Sequence, residues 1–117
     1  MTGPPRPPLV LSSLHVHPVK SCRGFSPARW DLDRFGLALD RSFMVVDGAG
    51  RGLTQREHPR LARVATRIEA ERLVLGVDGR KDVSLPLAAP SAPRREVQVW
   101  RHVGPALDRG DEAAALF

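Results

Sequence analysis

Proline and glycine recur so often along this chain, 11 and 10 times in 117 residues, that long uninterrupted elements are ruled out. Proline has no N–H to donate to a helix or a ladder, and glycine gives up more conformational freedom on folding than any other residue. What lies between these breaks is short and alternates apolar with polar side chains, the period of a half-buried strand. Residues 9–16 start as a Val-Leu run and end in the alternation Leu14-His15-Val16-His17, where Pro18 stops further pairing. Residues 28–33 alternate again, with Trp30 and Leu32 on one face. Residues 42–46 form a strand that the turn Asp47-Gly48-Ala49-Gly50 sends back along 51–54 as a hairpin.

Two more strands are predicted over 61–69 and 72–77, joined by a polar turn at 69–71. Asp78-Gly79 marks a turn before a strand at 83–87, residues 90–93 break the chain, and 96–101 read as the last strand. From Asp108 onward, acidic cap residues precede the helix formers Ala113, Ala114 and Ala115, which predicts about two helical turns. Seven or so short strands at this spacing predict an all-β fold, a small β-barrel with a short C-terminal helix. The length suits one domain. Residues 1–8, dominated by proline, are expected to be disordered, leaving 9–117 as the domain. The opening segment has no apolar core of a signal peptide, and no apolar run approaches the roughly 20 residues that span a bilayer. A cytoplasmic location without membrane attachment is the expectation.

The net charge is +5 and the sequence pI about 10.9, which favours an anionic partner. Arginine supplies 16 of the 18 cations, with Lys20 and Lys81 the others, and they are scattered along the chain rather than gathered in one block. Charge alone therefore supports nucleic-acid binding only weakly. The lone cysteine, Cys22, excludes an internal disulfide.

The most specific signals are four blocks of sequence. They are Val16-His17-Pro18-Val19-Lys20-Ser21-Cys22-Arg23-Gly24; residues 34–47, with Gly36-Leu37, Asp40-Arg41 and Met44-Val45-Val46-Asp47; Gly50-Arg51-Gly52-Leu53-Thr54-Gln55-Arg56 with Pro59 and Leu61-Ala62; and Val97-Gln98-Val99-Trp100 followed by residues 108–114. In this order they resemble the signature segments of the MOSC N-terminal β-barrel domain, over roughly residues 10–117. His17 stands where that family usually has Tyr, and Phe43 where it has Trp; both keep the shape and leave the cations in place.

The resemblance implies a molybdenum-cofactor protein. The family includes the amidoxime-reducing components, oxidoreductases that reduce N-hydroxylated compounds, and a related domain pair ends the molybdenum-cofactor sulfurases. In both, a MOSC domain follows the barrel and its cysteine ligates molybdenum. Nothing in this sequence corresponds to that domain, so the chain reads as a fragment, inactive alone, that shares the molybdenum cofactor (molybdopterin) with an absent C-terminal MOSC domain. An electron-transfer partner would serve the parent enzyme. The resemblance further implies that Lys20, Ser21 and Arg41 contact the cofactor, the two cations neutralising its phosphate. A loop exposing N–H groups beside a lysine, a hydroxyl and a forked guanidinium suits an oxyanion. The bland alternative is a solvated lysine and an Arg41 paired with Asp40 or Asp47.

Arg56, in the polar cluster Thr54-Gln55-Arg56, is a further candidate for the cofactor, with pairing to Asp33 or Asp47 an equal alternative. Cys22 is read as a small buried side chain rather than a metal ligand. His15 and His17 lack a third ligand nearby, so no metal site and no catalytic residue is assigned. Trp30 and Trp100 are read as core anchors. The competing function, a stand-alone basic barrel that binds nucleic acid or a partner protein, requires exposed aromatics among the cations.

Overall fold

The computed structural model describes residues 3–117. Seven short strands dominate: β1 (Leu32–Asp33), β2 (Gly36–Leu37), β3 (Ala65–Glu69), β4 (Arg72–Gly76), β5 (Val83–Pro86), β6 (Arg94–Val99) and β7 (His102–Leu107). A 3-10 turn at Pro59–Arg63 precedes β3, and one helical turn, α1 (Asp111–Ala114), follows β7. The strands form three antiparallel sheets, β1-β2, β3-β4-β5 and β6-β7. The all-β class follows the sequence. Among the described residues, no helix is long and apolar enough to cross a membrane.

Isolated bridges string the sheets together. Ala65 of β3 pairs with Arg23, Val19 of the same loop pairs with Phe43, Val46 pairs with Gly52, and Arg51 pairs with Gln98 of β6. The path therefore runs from β5 to β7 without a ladder between those two ends, and the expected barrel is open. At the seam a side chain takes over the work of a strand pair. Arg109 donates to the carbonyls of Pro86, the last residue of β5, and Leu87, and lies over the Phe43 ring, 5.2 Å from its centroid. Leu116, just past α1, enters the core, and Arg80 binds the carbonyls of Ala115 and Leu116 at 3.2 and 3.4 Å. Those carbonyls lie beyond the end of the helical turn, where backbone acceptors lack a partner and a cation is favoured.

The core is one cluster: Val19, Cys22, Leu61, Val64, Leu73, Leu75, Leu85 and Leu116. β4, central in its sheet, supplies Leu73 and Leu75 to it from one face, while Val74, also buried, points to the other face and lies outside the cluster. Among the described residues Thr66 is the one buried polar side chain, and its hydroxyl and its N–H both reach the Arg23 carbonyl, at 2.8 and 3.1 Å. That fork fixes the loop 17–24 to β3.

Several expectations fail, each for a local reason. Residues 9–14 form no strand; Leu9, Val10 and Leu11 are exposed, and pairing starts only at Val16, which bridges Phe25. An apolar run makes a strand only where a neighbouring edge exists for it. Of the expected disordered segment, residues 1 and 2 lie outside the described residues, while 3–8 are exposed and carry no secondary structure. The strand at 28–33 shrinks to Leu32–Asp33, and the strand at 61–69 begins only at Ala65 because Pro59 starts a 3-10 turn. Strand β7 has no legible strand pattern because Gly104 and Pro105 lie inside it. As β7 pairs only with β6, proline's missing N–H costs nothing on the open side. Trp100 is no core anchor: it is 83% exposed at the β6-β7 turn, with a left-handed φ of 52°. Trp30 is half-buried, edge-on to Phe25 with its indole N–H on the Ala38 carbonyl at 2.7 Å.

Candidate functional site

The loop 17–24 and the segment 39–43 lie side by side. Arg41 N–H donates to the His17 carbonyl (2.6 Å), Phe43 N–H to Pro18 (2.9 Å), and Lys20 N–H to Phe43 (2.9 Å). This parallel pairing brings Lys20, Ser21 and Arg41 onto neighbouring backbone. Lys20 and Arg41 both line a cavity of about 720 Å³ between this loop, the inner face of β6-β7 and Arg109. Arg95, Val97 and Val99 of β6 supply part of its far wall.

Within the loop, Cys22 N–H bonds the Val19 carbonyl at 3.1 Å, which closes a β-turn over Lys20 and Ser21. Ser21 holds the third position with φ 71°, the left-handed region that favours glycine. Leu39 (φ 66°) and Arg41 (φ 51°) share that region on the facing segment. Left-handed backbone costs an L-residue roughly 1–2 kcal/mol. Three such residues on two touching segments make this one of the places where backbone comfort is given up, as functional loops often do; the β3-β4 and β6-β7 turns are others.

Asp40 organises the facing segment. One of its oxygens accepts the His17 N–H at 2.8 Å and the other pairs with the Arg41 guanidinium. Burial pushes the Asp40 carboxyl up, but the His17 N–H and the Arg41 charge outweigh it and hold it below the ordinary aspartate range. The Arg41–Asp40 pair foreseen as the bland alternative is thus present, while Arg41 stays 59% exposed with donors to spare. Among the described residues, the side chains of Lys20 and Ser21 make no hydrogen bond to protein.

The second polar cluster divides. Arg56 is exposed and forms no ion pair among the described residues, with neither Asp33 nor Asp47. Asp47 instead accepts the N–H groups of Arg51 and Ala49 at 3.0 and 2.9 Å, which hold its carboxyl low. It is Gln55 that reaches the loop, its side-chain N–H₂ donating to the Ser21 carbonyl at 2.7 Å. Sequence spacing could not tell which of three adjacent polar residues faces the loop. Cys22 is 1% exposed, and burial pushes its thiol up to about 12. His15 bonds Ser13 and His17 bonds the Cys22 carbonyl. Among the described residues no group of three His, Cys, Asp or Glu is placed to hold a metal ion.

Fold and loop together define a small all-β domain that presents uncommitted cationic donors at one rim. The family profile of the MOSC N-terminal beta barrel domain matches residues 9–117. The chain belongs to that family. Similar proteins include the molybdenum cofactor sulfurase of Bos taurus, 38% identical over 80 residues that cover 67% of this chain and 9% of the relative. The mitochondrial amidoxime reducing component 2 of Rattus norvegicus is 31% identical over 112 residues, covering 92% of this chain and 33% of the relative. The chain thus spans a third or less of these curated relatives. A Bordetella bronchiseptica protein solved in solution shares the fold, with a TM-score of 0.66, 23% identity, and 90% of this chain and 78% of that one covered.

Proposed function

We propose that this domain helps bind the phosphate and pterin end of the molybdenum cofactor, within a parent oxidoreductase that reduces N-hydroxylated compounds. The observation that carries the reading is the uncommitted Lys20 ammonium and Ser21 hydroxyl, on backbone hydrogen-bonded to the Arg41 segment. Charge-assisted bonds from two cations and a hydroxyl suit a phosphate monoester. The donor set fits that end of the cofactor and not its metal, since Cys22 is sealed in the core and held as the thiol. The cofactor's molybdenum would supply the redox chemistry; this chain's part is to bind and orient. The reading includes a following MOSC domain as partner, an electron donor for the parent enzyme, and a cytoplasmic, reducing location.

Alignment with an amidoxime reducing component over 92% of the chain supports the oxidoreductase parent. The test is a titration of the ¹⁵N-labelled chain with inorganic phosphate and with a phosphorylated pterin. Amides of residues 20–24 and of Arg41 shift first, and Lys20→Ala with Arg41→Ala abolishes the shifts with the fold intact. The exposed Trp100 beside Arg101, and the exposed Phe35 under Arg34, give nucleic-acid binding its footholds. Stronger shifts from short oligonucleotides at Arg94, Arg95 and Arg101 would replace the cofactor reading with that one.

A further inference from the structure

We infer that Gln55 is a positioning residue for the anion loop: its side-chain amide holds the strained turn at Ser21 in the shape that presents Lys20 and the Ser21 hydroxyl. The inference rests on the anion-site reading above. A turn with positive φ at its third position forms readily with glycine there, but glycine has no hydroxyl to offer a ligand. Keeping serine at φ 71° leaves the turn biased toward relaxing, and the bonds around it must resist that bias. The N–H groups of Lys20, Cys22 and Arg23 are tied down, to Phe43, Val19 and Val64. The Ser21 carbonyl has a single partner among the described residues, Gln55 at 2.7 Å, from 34 residues further along the chain.

Gln55 is itself anchored. Leu53 N–H binds the Val45 carbonyl at 2.8 Å, His58 N–H binds the Thr54 carbonyl at 2.8 Å, and the Thr54 hydroxyl accepts Glu57 N–H at 3.4 Å. The turn 54–58 thus carries the Gln55 amide on a base fixed to Val45, in the segment that follows Arg41 and Phe43. Through it the site's two halves share one rigid support, and the ordering of the loop precedes the ligand.

Gln55→Met keeps the size and removes the donor. Loss of one hydrogen bond, about 1 kcal/mol, predicts about fivefold weaker binding of inorganic phosphate. The heteronuclear NOE of the Lys20, Ser21 and Cys22 amides, measured without ligand, should fall as well. Ser21→Gly removes the strain, so in that background Gln55→Met should change the loop's NOE little; such non-additivity is expected of directly coupled residues. A merely structural hydrogen bond would cost stability alike in both backgrounds and leave phosphate affinity alone. An unchanged phosphate Kd in Gln55→Met, or an equal loss of loop order in both backgrounds, overturns the inference while leaving the anion site standing. Failure of the parent chain itself to bind phosphate overturns the anion site and this inference with it.

Discussion

Gly24 closes the loop motif, and its requirement is steric rather than conformational. A Cβ built there would lie 2.2 Å from the Val16 carbonyl oxygen and 2.8 Å from Nδ1 of His17. The first contact is with backbone, so no side-chain rotation relieves it. Gly24→Ala must instead push apart residues 16 and 25, whose two hydrogen bonds are both 2.9 Å. Losing these costs about 1 kcal/mol each, and residual crowding adds about 1–3 kcal/mol. The sum is about 3–5 kcal/mol, and at roughly 4 °C per kcal/mol for a chain of this size, the melting midpoint should fall by roughly 10–20 °C. Gly48→Ala is the matched control, because no atom lies within 4 Å of its Cβ position and its φ is not positive. There the loss of unfolded-chain entropy should stabilise by about 0.4–1 kcal/mol. Thermal unfolding followed by circular dichroism, with urea midpoints alongside, measures both. A Gly24→Ala midpoint within about 3 °C of the parent, near the shift of a single kcal/mol, would refute the steric argument.

Cys22 should resist thiol reagents at neutral pH until the chain unfolds, which a denaturant series with a chromogenic disulfide reports. Because burial raises its folded pKa from 9.0 to about 12, its share of stability is complete below 9 and is lost as pH climbs toward 12. Cys22→Ala should flatten that alkaline decline in urea midpoints, relative to its own value at pH 7. The β3-β4 turn places Ala70 (φ 47°) and Glu71 (φ 60°) in left-handed backbone, where Asn-Gly is at home. Ala70→Asn with Glu71→Gly should raise the melting midpoint by about 4–8 °C if roughly 1–2 kcal/mol of strain is relieved; no gain would show the turn is already relaxed. Arg109→Met keeps the apolar stem and removes the donors at the seam. Amides of β6 and β7 should then exchange roughly tenfold faster while those of β3 and β4 hold, since a charged hydrogen bond contributes about 1.5–3 kcal/mol; equal acceleration everywhere would deny the seam a local role.

How far the sequence could be read depended on whether a residue's partner was implied by its own pattern. β4 is foreseen to within one residue and β5 likewise, because their apolar runs are bounded by turn residues on both sides. Residues 9–14 have an equally good pattern and no edge to join, which no local signal discloses. Pro105 looks like a terminator, yet an edge strand tolerates it. Trp100 looks like core, but the hairpin turn falls on it and turns it outward. At the candidate site, the proximity of Lys20 and Ser21 to Arg41 was expected from resemblance, and the hydrogen bonds of residues 17–20 with 41–43 show how the backbone brings them together. Gln55 stands out in the sequence only as a neighbour of Arg56, since a contact across 34 residues leaves no trace in spacing.

The open seam bears on how the domain comes apart. Hairpin β6-β7 is held to the rest of the molecule by the Gly50–Gln98 and Gly52–Gln98 backbone bonds, by Arg95 on the carbonyls of residues 47 and 48, and by the Arg109 strut nearby. These fastenings are few, mostly exposed, and two of them are guanidinium groups, which water and salt can replace individually. A ladder unzips from its ends, whereas pins release one at a time, so the hairpin forms a flap with its own opening equilibrium, below that of the β3-β4-β5 block. Because Arg95, Val97 and Val99 wall the cavity that Lys20, Arg41 and the core residues Leu73, Leu75 and Leu85 also line, each opening of the flap would widen the surroundings of loop 17–24 and bare one side of the core.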